Sequence, residues 1–290
     1  MAAASSVLFG ISPALMKITF KYGGSGLLSN FYGSGLAVAA LLIWGAMGRH
    51  RFSVEAEQRA KLFILAALSC ATSMLLYSSY SYLSIGLSTT LHYVYPIATA
   101  LYLRCFFGEH FGRTRIAALF LIVMGAACMS LTSAESGSLI GMAMALFSGL
   151  AWGGYIVYLE KSGLRKVEPI TISFYLAVAN CISSGLACAL GSGIRGYSMV
   201  FVWIFVLLES MIQRIGANVL FQKGIAGCGA FLASIISTME PVVCVMIGAL
   251  MLGEMPARQE LVGMPLVFGG IILNLFAENR RMSPDKRGLA

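Results

Sequence analysis

Long apolar segments separated by short polar or charged turns recur along the whole chain. A helix of about 20 apolar residues, rising 1.5 Å per residue, spans the roughly 30 Å hydrocarbon core of a bilayer. Because lipid offers the backbone no hydrogen-bond partners, segments of this kind cross a membrane as helices. The pattern predicts ten spans, at residues 4–22, 27–47, 62–83, 86–107, 114–132, 139–159, 170–190, 199–222, 228–252 and 259–277.

The composition agrees with a chain that lies mostly in lipid. Of its 290 residues, 58% are hydrophobic and 11% are charged, and the mean hydropathy is +0.83. A soluble domain carries roughly 25% charged residues to cover its surface. The fold class predicted is therefore all-α integral membrane. The net charge of +8 is spread over the loops and forms no single patch, so we expect membrane lipid and no nucleic acid among the partners.

The loop charges predict how the spans are oriented, because cytoplasmic loops retain lysine and arginine. With the N-terminus placed inside, the outer side receives only Lys21, Arg195 and Arg258, while Lys17 and Arg214 lie within spans. All other basic residues fall on the inner side. This bias holds through the C-terminal tail only for an even number of spans. We therefore expect a multi-pass protein of the inner (cytoplasmic) membrane with both termini in the cytoplasm.

The chain contains an internal repeat, because two segments match when one is shifted by 145 positions. The matching positions are Pro96 with Pro241, Gly108 with Gly253, Glu109 with Glu254 and Gly125 with Gly270. A looser match joins Phe9-Gly10 and Lys17 to Trp152-Gly153 and Lys161. We predict a first five-helix repeat at 1–134 and a second at 135–290. Since five is odd, the second repeat is inverted, which is typical of secondary transporters with a site near mid-membrane.

These motifs resemble the drug/metabolite transporter superfamily, in particular its EamA-type branch, over nearly the whole chain. The resemblance rests on Trp152-Gly153, on Glu240-Pro241-Val242, and on the two Gly-Glu helix ends that precede glycine-containing spans. It implies ten helices, alternating access and export or uptake of a small metabolite. The first repeat departs from the pattern, with Phe9 in place of tryptophan and Tyr95 in place of glutamate. The site therefore need not be symmetric.

Glu240 is the first candidate for a role in transport, since an ionisable residue inside a span is costly unless it faces the interior of the bundle. It lies near the middle of the ninth predicted span, beside Pro241, which removes one backbone hydrogen bond. Such a carboxyl group could bind a cationic group or carry a coupling proton, or it could join helices through an ion pair. Lys17 and Arg214 are the candidate counter-charges, although Lys17 could instead extend toward the outer interface.

Arg214 also belongs to a polar stripe on the eighth predicted span. Arg214, Asn218 and Gln222 recur every fourth residue and so share one helix face. Glu209 and Gln213 form another stripe, well around the helix from Arg214. We expect Arg214 and Asn218 to line a cavity, and Gln222 to hold helices together through hydrogen bonds.

His92 and several aromatic residues complete the candidate substrate-binding set. His92 precedes Pro96 by one turn, and a histidine there could relay protons or be hydrogen-bonded in the core. Tyr95, Trp152 and Tyr155 could form an aromatic wall beside Glu240, which would suit an organic cation or an aromatic amino acid. The alternative for these rings is ordinary core packing.

The remaining charged and metal-binding residue types suggest no catalytic centre. Glu109 and Glu254 end their helices in corresponding places, and we expect structural roles there, with Arg113 and Arg258 as possible partners. The seven cysteines form no CxxC pair, so neither a metal nor a cofactor is expected. We expect no enzyme but a secondary transporter of a small molecule, as a monomer or homodimer. An integral membrane enzyme or a channel is the alternative.

Overall fold

The computed structural model describes residues 1–130, 138–191, 193–252 and 257–282. Within these ranges it describes all side chains except those of Lys17, Ser130, Gly248, Met251, Leu252, Glu260 and residues 278–282. The described ranges are helical and contain no strand. The helices are α1 (Ala2–Lys21), α2 (Gly26–Gly48), α3 (Ala56–Ser79), α4 (Ile85–His92), α5 (Tyr95–Phe107), α6 (Arg113–Ser130), α7 (Leu139–Lys161), α8 (Pro169–Leu190), α9 (Val200–Glu209), α10 (Asn218–Cys228), α11 (Ala230–Ser237), α12 (Glu240–Leu252) and α13 (Arg258–Met282).

Seven helical segments in the described ranges are long and apolar enough to cross a membrane. They are Ala2–Lys21, Gly26–Gly48, Ala56–Ser79, Leu139–Lys161, Pro169–Leu190, Val200–Cys228 and Ala230–Ile247. Large apolar side chains on the outside of the bundle, such as Phe63, Leu190 and Leu250, are more than 70% exposed. A bundle with an apolar exterior of this kind is stable in lipid and not in water. The prediction of an all-helical membrane protein is therefore confirmed.

Two of the predicted spans are broken near their middles, in corresponding places. Between α4 and α5, the amides of Tyr93 and Val94 bond to carbonyl oxygens three residues earlier, at 3.0 and 3.3 Å. Between α11 and α12, the amides of Thr238 and Met239 do the same, each at 3.1 Å. A proline follows at the second position of α5 and of α12, where its missing N–H leaves no helical bond unmade. Glu240, expected inside a continuous helix, is therefore the first residue of α12.

Each of these second half-helices packs against a glycine of another helix. A Cβ atom on Gly10 of α1 would lie 2.8 Å from the carbonyl oxygen of Glu240. A Cβ atom on Gly153 of α7 would lie 3.1 Å from the carbonyl oxygen of Tyr95. Only glycine permits backbones to approach this closely. The looser sequence match of Gly10 with Gly153 thus corresponds to the same packing contact, made once in each half of the chain.

Helices α6 and α13 cross in an antiparallel pair whose contacts also correspond. A Cβ on Gly125 would lie 2.8 Å from the carbonyl oxygen of Gly263, and one on Gly270 would lie 2.8 Å from that of Ala118. Shifting by 145 positions converts Ala118 into Gly263 and Gly125 into Gly270, so the crossing maps onto itself. From Ala118 to Gly125 the residue number rises along α6, while the contacted residue on α13 falls from Gly270 to Gly263. The two helices are therefore antiparallel.

Helices α9 and α10 are joined by a π-helical segment, Ser210–Ala217, so that the polypeptide runs on from Val200 to Cys228 without a turn. A π-helix bonds i to i+5 and places side chains five residues apart on one face. This segment and the two breaks face the same central space, which α1, α3, α7 and α8 complete. The irregular backbone of the bundle is therefore gathered around its centre.

Candidate functional site

A polar cavity of about 140 Å³ lies at the centre of the bundle, where the broken helices and the π-helical segment meet. Its charged or titratable lining residues are Glu240, Arg214 and His92, and its aromatic ones are Phe9, Tyr77, Tyr80, Tyr93, Tyr95 and Trp152. Irregular backbone at membrane depth is tolerated only where it is buried in protein or lines a polar space. The cavity therefore accounts for the position of the two helix breaks.

Glu240 lines this cavity from the first turn of α12. Its backbone carbonyl is held against Gly10, as described above, so the start of α12 is fixed in position. The amino end of a helix carries a partial positive charge, which favours a carboxylate there. A carboxylate in this place can bind the cationic group of a solute or exchange a proton with a molecule in the cavity.

Arg214 lines the cavity from the π-helical segment and is compensated by neighbours. Its Nη1 donates to Oδ1 of Asn30 on α2 at 2.7 Å, and its Nη2 lies 3.6 Å from Oε1 of Glu209. The expectation that Glu209 lies well around the helix from Arg214 is wrong, because the π-helix brings residues five apart together. The arginine thus has Glu209, and not Glu240, as its carboxylate partner in the described part of the chain.

The predicted stripe beyond Arg214 is divided between two environments. Asn218 lines the cavity, with its Nδ2 donating to the carbonyl oxygens of Gln213 at 3.3 Å and of Arg214 at 3.4 Å. Gln222 lies one turn further on and is buried, where its Nε2 donates to Oγ of Ser173 on α8 at 3.1 Å. Asn218 therefore shapes the cavity wall, whereas Gln222 joins α10 to α8.

His92 lines the cavity at the end of α4 and is anchored to α7. Its Nδ1 lies 2.8 Å from Oγ of Ser148, and that hydroxyl donates its proton to the carbonyl oxygen of Ala145 at 2.6 Å. Since Ser148 has a single proton to donate, Nδ1 of the histidine is the donor in their hydrogen bond. The imidazole is thereby fixed in orientation with its other nitrogen left to accept.

The three predicted aromatic residues occupy two layers. Tyr95 and Trp152 line the cavity, but Tyr155 is fully buried behind Trp152, with the ring centroids 4.6 Å apart and the planes 5° apart. Phe221 also stacks on Trp152, with the ring centroids 5.5 Å apart. The expectation that Tyr155 lines the site is therefore not met, because a residue three positions along lies about 60° around the helix. Tyr155 instead supports Trp152.

The other predicted residues lie away from the cavity or outside the described part of the chain. Glu109 accepts a hydrogen bond from Nζ of Lys161 at 2.8 Å. Its partner is therefore Lys161 and not Arg113, the partner that the sequence suggested. Glu254 lies outside the described residues. The backbone of Lys17 belongs to α1, but its side chain is not among those described.

The sequence did not single out the small polar residues that form the α3 and α8 walls of the cavity. These are Ser69, Thr72, Ser73 and Ser173. Asn180 donates to Oγ of Ser69 at 3.0 Å, so the two walls are hydrogen-bonded to each other. Small hydroxyl residues attract little notice in an apolar segment, but the spacing of Ser69, Thr72 and Ser73 places them on one helix face and could have revealed them.

The two ends of the cavity differ. One end reaches Tyr80 and Ile85, where α3 ends and α4 begins. At the other end, Tyr155 and Phe221 both stack on Trp152 and close the cavity, and these two rings are completely buried. The cavity is therefore closed at the end formed by Trp152. Among the described residues, no group of three or more His, Cys, Asp or Glu side chains is placed to hold a metal ion.

Two matches to one family cover most of the chain. The model of the EamA-like transporter family matches residues 1–131 and again residues 139–276. The chain belongs to the EamA-like transporter family. The resemblance to the drug/metabolite transporter superfamily is thereby confirmed, and an EamA-like chain with these apolar helices is a multi-pass membrane protein.

Individual relatives agree with this family. An uncharacterized transporter of Synechocystis sp. is 25% identical over 222 residues, in a match that covers 72% of this EamA-like chain. The match spans 66% of the length of that relative, which is slightly under two thirds. One protein of known crystal structure superposes with a TM-score of 0.78 at 14% identity, covering 97% of this chain and 98% of the other. At that identity the superposition supports the fold alone.

Proposed function

We propose that this EamA-like protein is a secondary transporter that moves a small metabolite across the membrane by alternating access. The observation that carries the proposal is the cavity at the centre of an apolar bundle, which is closed at the Trp152 end and lined by Glu240 at the break between α11 and α12. Secondary transporters hold substrate at such discontinuous helices near mid-membrane. A recess that is closed at one end is the form expected of a carrier in one of its two states.

We further propose ten spans in two inverted halves, 1–134 and 135–290. Counting α4 with α5, α9 with α10 and α11 with α12 gives ten segments that cross the bundle. The antiparallel crossing of α6 with α13 supports the inversion, since each is the last segment of its half. The excess of lysine and arginine in one set of loops supports cytoplasmic termini in the inner membrane.

The chemistry of the cavity favours a substrate that carries an ammonium group and an apolar or aromatic body. Glu240 supplies negative charge and the partly exposed Trp152 supplies aromatic surface, whereas the positive charge of Arg214 is already compensated by Glu209. Aromatic faces and carboxylates both attract organic cations. An amino acid or an organic amine is therefore the proposed substrate class, and Glu240 is the proposed carrier of a coupling proton.

Counterflow in proteoliposomes tests this function. Vesicles loaded with an unlabelled amino acid or amine should accumulate the labelled solute transiently and at a saturable rate, as only a carrier exchanges bound substrate. Candidate solutes can first be ranked by thermal shift of the purified protein, because a ligand that binds the folded state raises the unfolding temperature. Single-channel currents, or covalent conversion of the solute, would contradict the proposal and favour a channel or an enzyme.

A further inference from the structure

Beyond the closed end of the cavity, one group of charged residues connects three helix ends. Glu160, two turns beyond Trp152 on α7, accepts a hydrogen bond at its Oε2 from the backbone amide of Ala230, the first residue of α11, at 2.8 Å. Nζ of Lys161 lies 3.4 Å from Oε1 of Glu160 and 2.8 Å from Oε1 of Glu109, just after α5. The ends of α5 and α7 and the start of α11 are therefore joined by one network.

The start of α11 depends on Glu160 because the residue before it has no side chain. A helix is normally capped by a Ser, Thr, Asp or Asn side chain at this position. In α11 the position is Gly229, with a φ of +83°. The corresponding residue before α4 is Ser84, whose Oγ accepts from the amide of Leu87 at 3.3 Å. In the first repeat, α4 is thus capped by the residue that precedes it, Ser84. In the second repeat, α11 is capped by Glu160 of another helix, α7.

This network is more enclosed than an ordinary surface ion pair. The side chains of Glu160 and Lys161 are 16% and 26% exposed. Next to them, Phe231 of α11 is almost fully buried and its ring centroid lies 4.5 Å from that of Phe111, which follows α5. Hydrogen bonds to a charged acceptor in such surroundings are stronger than those on a wet surface. The network and the two rings together close the bundle beyond the Trp152 end of the cavity.

We propose that Glu160 is the residue that keeps this face of the transporter closed, by capping α11 from α7 while Lys161 ties α7 to α5. The inference rests on the alternating access proposed above. Opening toward this face requires α11 to separate from α7, and the amide of Ala230 must then exchange Glu160 for water. The opposite face makes no such demand, because Ser84 moves together with the helix it caps.

The accessibility of a cysteine placed between the two faces tests this role. Ser237→Cys, at the cavity end of α11, serves as the reporter after the seven native cysteines are replaced by alanine. A membrane-impermeant maleimide is applied to membrane vesicles of each orientation. Glu160→Ala is expected to raise labelling from the Glu160 face by about tenfold or more, the shift in opening expected for loss of one charged hydrogen-bond acceptor. Glu160→Gln keeps an acceptor oxygen and should give a smaller increase.

A matched control is available near the same face. Glu57→Ala removes a carboxylate that pairs with Lys61 at 2.8 Å on the surface, and labelling should stay unchanged. Unchanged labelling in Glu160→Ala, or an equal rise in Glu57→Ala, would overturn the role of Glu160. If Glu160→Ala does not fold, Glu160→Gln and Lys161→Met decide by the same criterion. A reporter that is labelled from neither face in any variant would instead contradict the cavity and alternating access themselves.

Discussion

The two broken helices have the same backbone arrangement but differ in the side chain that begins their second half. In both, two amides bond three residues back, a proline follows, and a glycine of another helix packs against the restart. The residue that begins the second half is Tyr95 in one repeat, where it is 1% exposed, and Glu240 in the other, where it is partly exposed to the cavity. The repeated features are those that folding requires, whereas the residue that begins the second half-helix has diverged. Pseudo-symmetry in this protein therefore describes the scaffold and not the site.

The largest effect is expected from neutralising the diverged position. Glu240→Gln keeps the size of the side chain but removes the charge, and we expect kcat/KM for transport to fall at least about tenfold, because a solute cation loses its partner. The proposed role of Glu240 as carrier of the coupling proton further predicts that the pH dependence of transport disappears in this variant. Proteoliposome uptake measured over a range of pH checks both outcomes. Transport with an unchanged pH profile in folded Glu240→Gln protein would remove Glu240 from the proposed mechanism.

The packing of the two restarts should be equally sensitive to added volume. Gly10→Ala and Gly153→Ala each place a methyl group within about 3 Å of a carbonyl oxygen, so each should destabilise the protein by about 1–3 kcal/mol. Thermal unfolding in detergent would then occur several degrees lower. Gly227→Ala in α10 is the matched control, since its Cβ would meet no atom within 4 Å. A large drop for only one of the two glycines would show that the restarts are not packed alike.

A smaller effect is expected where one repeat has a polar anchor. Ser148→Ala removes the partner of His92 Nδ1 and should cost about 1–2 kcal/mol, because a buried donor is left without an acceptor. Thermal unfolding measures this loss. Ser184→Ala is a control of the same chemistry, since that buried hydroxyl donates to the carbonyl oxygen of Asn180 in its own helix and has no second partner among the described residues. An equal loss in both variants would argue against a special anchor at His92.

The smallest effect is expected at the tyrosine that corresponds to Glu240. The hydroxyl of Tyr95 is buried and has no hydrogen-bond partner within the described ranges, so Tyr95→Phe should change the free energy of unfolding by less than about 0.5 kcal/mol. Transport should also change little, because the aromatic surface is kept. A loss of activity approaching that of Glu240→Gln would show that the two positions share the chemistry after all.

The apolar pattern was sufficient to predict the helical membrane fold, and the glycine and proline landmarks were sufficient to predict the family. Both signals are local, because the length of an apolar segment and the missing N–H of a proline affect the structure of the same stretch of chain. The breaks themselves were marked by Pro96 and Pro241, yet the predicted spans ran through them. A proline near mid-membrane does not by itself reveal whether a helix is kinked or interrupted.

The contacts inside the site were harder to predict, since they depend on helices distant in sequence. The pairing of Glu209 with Arg214 follows from a π-helical segment that neither residue signals. Trp152 stacks on Tyr155 of its own helix and also on Phe221, which lies more than 60 positions away. Regular helical spacing assigns faces correctly only where the helix stays regular and the neighbours are known.

The crossing of α6 with α13 has a consequence for how such a chain can be assembled. In the described ranges neither helix contributes a side chain to the cavity, and their contact is self-complementary after the 145-residue shift. A self-complementary contact is the kind that two copies of one subunit form across a dyad. Two separate polypeptides cut near residue 134 should therefore find each other through this helix pair when co-expressed and co-purify. The covalent link between the halves would then fix their ratio at one to one, whereas the contact between α6 and α13 would hold the two halves together.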